Sequence, residues 1–87
     1  MFRIKVSEQS VDKLKEMDRG LSSMIMAWMH KNLSKCINPR RFGKSMFKKD
    51  NRFWQYRLGD LRLLAIIYDD NKLVVITDIN HNDAYFK

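Results

Sequence analysis

The stretch RFWQYRLGDLRLLAI, residues 52–66, decides the fold because two apolar, strand-like runs flank a turn signal. Gly59 and Asp60 separate the runs, and glycine at the first central position favours a two-residue hairpin turn of type II′. With that turn, Arg57 lies directly opposite Arg62 on the neighbouring strand. Like charges that face each other across a strand pair cost up to about 1 kcal/mol, so the pair needs a compensating interaction.

Two arrangements offset the repulsion between these arginines. A nearby carboxylate, or full solvation of both side chains at a sheet edge, makes the pair structural. An anion bound between the two guanidinium groups makes it functional. Both interpretations are compatible with the hairpin alone.

Strand alternation divides the hairpin into two faces. We call the side that carries Arg57 and Arg62 the arginine face. Its other members are Phe53, Gln55, Leu64 and Ile66. The opposite side is the better candidate for packing against the rest of the chain, and its members are Trp54, Tyr56, Leu63 and Ala65.

The first quarter of the chain predicts a strand followed by a helix. Residues 2–6 alternate apolar and basic side chains, which is the period of a half-buried strand. Ser7 is a good helix N-cap, and apolar residues from Val11 to Met17 recur at helical spacing. The run Asp18-Arg19-Gly20 is expected to end this helix.

A second helix and three strands complete the predicted fold. Apolar residues between Leu21 and Leu33 form one helical stripe, which the Asn38-Pro39 pair terminates. Strands are expected at residues 53–58, 61–68 and 73–79. The result is a small α+β fold with an N-terminal strand, a two-helix hairpin and an antiparallel three-strand meander, the helices packing on one sheet face.

Composition favours one globular domain covering residues 1–87. Hydrophobic residues make up 45% and charged residues 31%, and three glycines and one proline leave no room for a flexible linker. The single cysteine cannot form an internal disulfide and no signal segment opens the chain, so a cytoplasmic location is expected. No apolar run approaches the roughly 20 residues that span a bilayer, so no membrane partner is expected.

The net charge of +7 points to an anionic partner, although solubility alone also accounts for such a charge. Much of it lies in a basic loop that follows Pro39 and includes two aromatic residues, Phe42 and Phe47. The loop lysines and arginines are either solvated or bind phosphate. The candidates for RNA or phosphate binding are Arg41, Lys44, Lys48 and Lys49.

The last strand brings further polar residues towards the arginine pair. A two-residue turn at Asp70-Asn71 sets a register in which Arg62 lies opposite Ile79. His81 then returns to the arginine face two positions later, and Tyr85 follows within reach. A loop histidine on the surface and a tyrosine ring that fills the core edge are the structural alternatives.

Arg57, Arg62, His81 and Tyr85 together form a plausible set for phosphodiester cleavage. Arginines stabilise charge that develops on phosphate, while histidine or tyrosine exchanges protons. RNA supplies its own nucleophile, the 2′-hydroxyl. The set therefore requires no metal ion and no cofactor.

The runs GKSM, FWQYRLGDLRLL and NHNDAYF closely resemble the RelE/ParE superfamily of toxins, and its RelE-like branch in particular. In that branch a loop rich in proline and arginine leads to a Gly-Lys pair, here Gly43-Lys44, and then to a Trp-x-Tyr-Arg-hydrophobic-Gly-Asp-x-Arg hairpin, here Trp54 to Arg62. The branch usually closes with His-Arg-x-x-x-Tyr. Here His81 stands at the arginine position, which is similar to the ending of the YafQ group.

The resemblance implies the toxin of a type II toxin-antitoxin system. Such a toxin is a metal-independent endoribonuclease that enters the ribosomal A site, cleaves messenger RNA and inhibits translation until a cognate antitoxin binds it. Two other functions remain open. The same superfamily includes ParE-like toxins that inhibit DNA gyrase without enzymatic activity, and a basic module that binds RNA without cleaving it fits the charge equally well.

Overall fold

A five-stranded sheet with two helices on one face makes up the structure, a computed structural model that describes residues 1–81, with side chains to residue 80. The elements are β1 (Arg3–Val6), α1 (Glu8–Glu16), α2 (Arg19–Asn32), a 3₁₀ turn (Pro39–Arg41), β2 (Lys44–Phe47), β3 (Asp50–Leu58), β4 (Leu61–Tyr68) and β5 (Leu73–His81). The strand order is β1-β5-β4-β3-β2, with β1 parallel to β5 and the other pairs antiparallel. The predicted α+β class is confirmed.

The core lies between the helices and the predicted packing face of the hairpin. From the helices it takes Leu14, Ile25, Met29 and the α2 C-cap Leu33. From β3 and β4 it takes Tyr56, Leu63 and Ala65, each no more than 1% exposed, and Ile67. Because the helices cover this side, Arg57 remains exposed on the other one.

The start of α1 was predicted correctly, but the predicted boundary between the helices was wrong. Ser7 caps α1 by accepting a hydrogen bond from the Ser10 backbone at 3.2 Å. Asp18 does not end α1. It caps α2 by accepting a bond from the Leu21 backbone at 3.1 Å, so Gly20 lies in the first turn of α2. Aspartate is among the strongest N-cap residues, and here that preference determines its place.

Strand β2 lies inside the segment that the sequence predicts as a loop. It forms an edge of the sheet through the pairs Lys44 with Gln55 and Ser45 with Trp54. Only Met46 of its four residues is even half-buried, so the strand has no apolar alternation to reveal it. Polar and charged residues are typical of edge strands, which must resist pairing with other chains. The meander therefore has four strands.

An irregularity in β5 overturns the predicted register of that strand. Ala65 pairs with Ile76 but Leu64 pairs with Asp78, so Thr77 is an extra residue on β5. Its hydroxyl donates to the Leu64 carbonyl at 3.2 Å. Such a bulge shifts every later side chain to the opposite face.

The bulge places Asn80, rather than Ile79, opposite Arg62. Ile79 pairs with Leu63 on the packing face and is 3% exposed. The predicted pairing of Arg62 with Ile79 is therefore wrong, and so is the register from which His81 was expected on the arginine face. His81 pairs through its backbone with Leu61, and its side chain lies outside the described residues, as does all of Tyr85.

An ion pair ties the 3₁₀ turn to the end of β4. Arg40 donates from Nη1 and Nη2 to the two carboxylate oxygens of Asp69 at 2.8 and 3.0 Å, and from Nε to the Asn51 carbonyl at 3.0 Å. Hydrogen bonds from Arg40 lower the pKa of Asp69. A carboxyl whose pKa is lower in the folded state stabilises the fold above its unfolded pKa, and loses that effect as the pH falls through the folded value.

We therefore expect Asp69→Asn to destabilise the protein near pH 7 and to have a smaller effect near pH 3, because part of the stabilisation is already lost below the ordinary pKa of an aspartate. Because Asp69 is exposed, the free energy of unfolding should fall by only about 1 kcal/mol or less at pH 7. Urea denaturation of both proteins at the two pH values measures the difference. Asp70→Asn, in the same turn, is the control. An Asp69→Asn effect that persists unchanged in acid would contradict the pairing.

Candidate phosphate-binding site

A cavity of about 280 Å³ opens on the arginine face, beside the β3–β4 hairpin. The described residues that line it are Gly43, Lys44, Gln55, Arg57 and Arg62. Three of these five residues carry cationic side chains and none carries a carboxylate. The structure therefore brings together Lys44, Arg57 and Arg62 out of the eight residues that the sequence suggests.

Two pairings place the cations around the cavity. The turn at Gly59 has φ of 56° at the glycine, and it sets Arg57 opposite Arg62 as the sequence predicts. On the other side of β3, Lys44 pairs with Gln55 and so shares the arginine face. All three cations are thus held by backbone register.

Gln55 is a member of this site that the sequence placed on the arginine face without a role. Its Oε1 accepts a hydrogen bond from Arg62 Nη1 at 3.0 Å. The amide therefore restrains the guanidinium that lies beside it. Alternation along β3 was the signal that could have identified it, since Gln55 is two residues from Arg57.

Asp78 is the carboxylate of β5 that lies nearest to Arg62 by strand register, and it forms its ion pair with a residue outside the cavity. Lys13 on α1 approaches Asp78 Oδ1 at 2.6 Å and the Asn80 side-chain oxygen at 3.1 Å. Burial acts to raise the pKa of Asp78, but hydrogen bonds from Lys13 and from the Ile79 backbone outweigh it, so the pKa is lowered. This carboxylate is thus neutralised by a lysine of α1.

The loop before β2 is fixed by two side chains from the packing face of β3. Trp54 Nε1 donates to the Phe42 carbonyl at 2.6 Å, and Tyr56 Oη donates to the Pro39 carbonyl at 2.7 Å. The Trp-x-Tyr spacing puts both donors on one side of the strand. These bonds hold the backbone that leads into Lys44 and thereby set one wall of the cavity.

Replacing Tyr56 with phenylalanine should destabilise the protein by roughly 1–3 kcal/mol, because the carbonyl of the buried Pro39 then loses its donor. Burial also raises the pKa of Tyr56, so its phenol stays a donor throughout the ordinary pH range. Urea denaturation measures the change. Tyr68→Phe, at a side chain 41% exposed, is the control. Equal stabilities of the two variants would show that the Tyr56 bond contributes nothing.

The remaining candidates lie elsewhere or cannot be placed. Arg41 lines a different cavity, with its guanidinium carbon 5.8 Å from the centre of the Phe42 ring. Lys48 and Lys49 form the β2–β3 turn, seven or more residues from Arg57 along β3, which is about 20 Å of extended strand. The His81 side chain and Tyr85 lie outside the described residues.

The chemistry of the cavity is that of an anion site. Guanidinium groups bind phosphate oxygens through paired N–H donors, and a lysine adds a point charge. Within residues 1–80, no three His, Cys, Asp or Glu side chains come together as metal ligands. In the same part of the chain, no helix is both long enough and apolar enough to cross a membrane.

The protein is thus a small α+β domain that presents cations on the face of its sheet that the helices leave uncovered. Solved structures show that the fold is that of the RelE toxins, as the resemblance in sequence implied. No family model matches the sequence, and no curated protein matches it.

Three of the structural relatives come from bacteria and an archaeon. The toxin-antitoxin complex RelBE2 of Mycobacterium tuberculosis has a TM-score of 0.78 at 22% identity, covering 92% of this chain and 90% of the other. The RelE-RelB complex of Pyrococcus horikoshii has a TM-score of 0.72 at 20% identity, covering 93% and 94%. The isolated E. coli RelE toxin has a TM-score of 0.70 at 10% identity, covering 93% and 84%.

Proposed function

We propose that this protein is the toxin of a type II toxin-antitoxin system and that it cleaves messenger RNA in the ribosomal A site. The observation that carries the proposal is the convergence of Lys44, Arg57 and Arg62 on one cavity. The RelE-like fold supports it. Cleavage of the messenger inhibits translation.

The proposed reaction uses the RNA as its own nucleophile. The 2′-oxygen attacks the adjacent phosphorus, the bond from phosphorus to the 5′-oxygen breaks, and the products carry a 2′,3′-cyclic phosphate and a 5′-hydroxyl. Negative charge accumulates on the phosphate oxygens during attack. Arg57 and Arg62 stabilise that charge, and Lys44 holds the neighbouring backbone.

Two protons must move in this reaction, and we assign their transfer to His81 and Tyr85. One group removes the proton of the 2′-hydroxyl, and the other supplies a proton to the departing 5′-oxygen. An ordinary histidine, with a pKa of about 6.5, can do either near neutral pH. The assignment rests on the resemblance of the ending from His81 to Tyr85 to that of the YafQ group, because the pairing of His81 with Leu61 gives it no support.

We also propose that a cognate antitoxin binds the protein in the cytoplasm and inhibits it. Two of the structural relatives are complexes of a toxin with its antitoxin. A net charge of +7 favours a partner with acidic segments. The same charge favours the ribosome and its RNA as the other partners.

Primer extension on a defined messenger tests the proposal. Wild-type protein should cut the messenger when ribosomes are present and should leave it intact without them, and His81→Ala should not cut. An intact messenger with folded wild-type protein would overturn the proposal. Inhibition of gyrase supercoiling in that case would identify a ParE-like activity, and salt-sensitive RNA binding alone would identify a passive binding module.

A further inference from the structure

A second basic cavity, of about 600 Å³, lies between the C-terminal end of α2 and the loop before β2 and has no part in the reaction described above. Three cations line it, namely Lys31 near the end of α2, Lys35 just beyond that helix and Arg41 in the 3₁₀ turn. All three side chains are exposed. Within residues 1–80, none of the three forms an ion pair with a carboxylate.

The second cavity also offers apolar surface for a flat ligand. Phe42 is 36% exposed and Ile37 is 87% exposed, and both line the cavity. Cations combined with an accessible aromatic ring are the features with which proteins bind single-stranded nucleic acid, since phosphates pair with the cations and bases stack on the ring.

The walls of this cavity are held by the backbone. Lys35 donates from its backbone N–H to the Phe2 carbonyl at 2.9 Å, and Phe2 donates to the Cys36 carbonyl at 2.8 Å. On the opposite side, Asn38 accepts from the Arg40 backbone through its side chain at 3.0 Å. The cations therefore do not depend on a ligand to bring them together.

The two cavities meet at one point of the chain. Phe42 lines the second cavity, and the next residue, Gly43, lines the first. The backbone between them is held by the bond from Trp54 to the Phe42 carbonyl. A strand whose phosphate occupies the first cavity reaches the second by passing around the β2 edge of the sheet, because α2 lies on the face opposite Arg57 and Arg62.

We propose that the second basic cavity binds the sugar-phosphate backbone of the same single-stranded RNA that occupies the first cavity. The inference rests on the proposed function, since it extends the RNA site beyond the cleaved bond. Lys31, Lys35 and Arg41 contact phosphates, and Phe42 supports a base. The exposed Phe42 ring beside the three cations favours RNA over an acidic protein segment as the occupant.

The test measures binding of a fluorescent 12-nucleotide RNA whose 2′-hydroxyls are all methylated, so that it cannot be cut. Fluorescence anisotropy at several salt concentrations gives both the affinity and its salt dependence. The triple variant Lys31→Gln/Lys35→Gln/Arg41→Gln should bind roughly tenfold more weakly. The slope of log affinity against log salt should fall by about 2, since each phosphate contact to a single strand contributes about 0.7.

A second triple variant, Lys5→Gln/Lys15→Gln/Arg19→Gln, removes the same charge from exposed positions that line neither cavity, and it should keep the wild-type slope. Equal losses in both variants would overturn the proposal, because the effect would then come from net charge. A first variant that binds RNA like wild type would also overturn it and would leave an acidic protein as the candidate ligand.

The cleavage assay is read separately on the same proteins. Wild type that cuts messenger while the first triple variant binds with an unchanged slope would retain the proposed function and reject the second site. Wild type that binds with the expected slope difference but cuts nothing on ribosomes would reject the nuclease and retain the RNA site.

Discussion

Arg62→Gln should slow the proposed cleavage of messenger on ribosomes by about 10²–10³-fold and should leave the protein folded. Loss of one preorganised donor to a developing anionic charge has an effect of this size in enzymes. Arg62 lines the cavity, is half-buried, and is held by Gln55 at 3.0 Å, so its guanidinium is positioned before substrate arrives. Glutamine keeps the capacity to bond Gln55 but removes the charge.

The measurement is the rate at which cut ends accumulate by primer extension, with circular dichroism as the check on folding. Arg52→Gln is the matched control, because that arginine lies on the neighbouring strand β3, pairs with Asp50 at 2.8 Å and does not line the cavity. Arg62→Lys should recover part of the rate, since charge is kept and the paired donors are lost. Cleavage by Arg62→Gln within threefold of wild type would show that Arg62 does not act on the phosphate.

Gly43→Ala should destabilise the protein by roughly 3 kcal/mol or more and should also slow cleavage. A β-carbon at this position would lie 2.1 Å from the backbone oxygen of Gln55, and φ at Gly43 is 75°, a conformation that favours glycine. The clash is with backbone rather than with a movable side chain, so β2 must separate from β3. Lys44 then leaves the cavity.

Gly59→Ala is the control for this prediction. Gly59 also has a positive φ, 56°, but an added β-carbon there would meet nothing within 4 Å. Gly59→Ala should lower the free energy of unfolding by only about 1–2 kcal/mol, the cost of a left-handed backbone conformation for a residue with a β-carbon. Urea denaturation of the two variants, compared with wild type, isolates the close approach of β2 to β3. Equal losses of stability in the two variants would show that the contact of the added β-carbon with the Gln55 backbone does not destabilise the protein.

The sequence predicted the parts of the site that depend on local geometry. The turn at Gly59 determines the pairing of Arg57 with Arg62, and strand alternation separates the core face from the arginine face. Both rules act over a few residues, so they needed no knowledge of the rest of the fold. Lys44 entered the site through a motif, and its position depends on β2, which the sequence did not reveal.

The errors arose where distant contacts decide the outcome. Thr77 enters β5 as an extra residue because Ile76 and Ile79, three positions apart, are both buried against the core. Simple alternation would bury Asp78 instead. The edge strand β2 has no apolar pattern in the sequence, and its backbone pairing with β3 holds it in the sheet. Lys48 and Lys49 were grouped with Lys44 by nearness in sequence, which a hairpin does not preserve in space.

The parallel pairing of β1 with β5 determines when a newly made chain can finish folding. β1 has β5 as its neighbour in the sheet, and Ser7 at the end of β1 bonds the Thr77 carbonyl 70 residues later. Closing a loop of that length costs about 4 kcal/mol of chain entropy, which only the completed sheet repays. β1 can therefore pair within the sheet only after β5 has left the ribosome exit tunnel. A nascent chain that has not yet released β5 therefore lacks the completed sheet on which any activity of the protein depends.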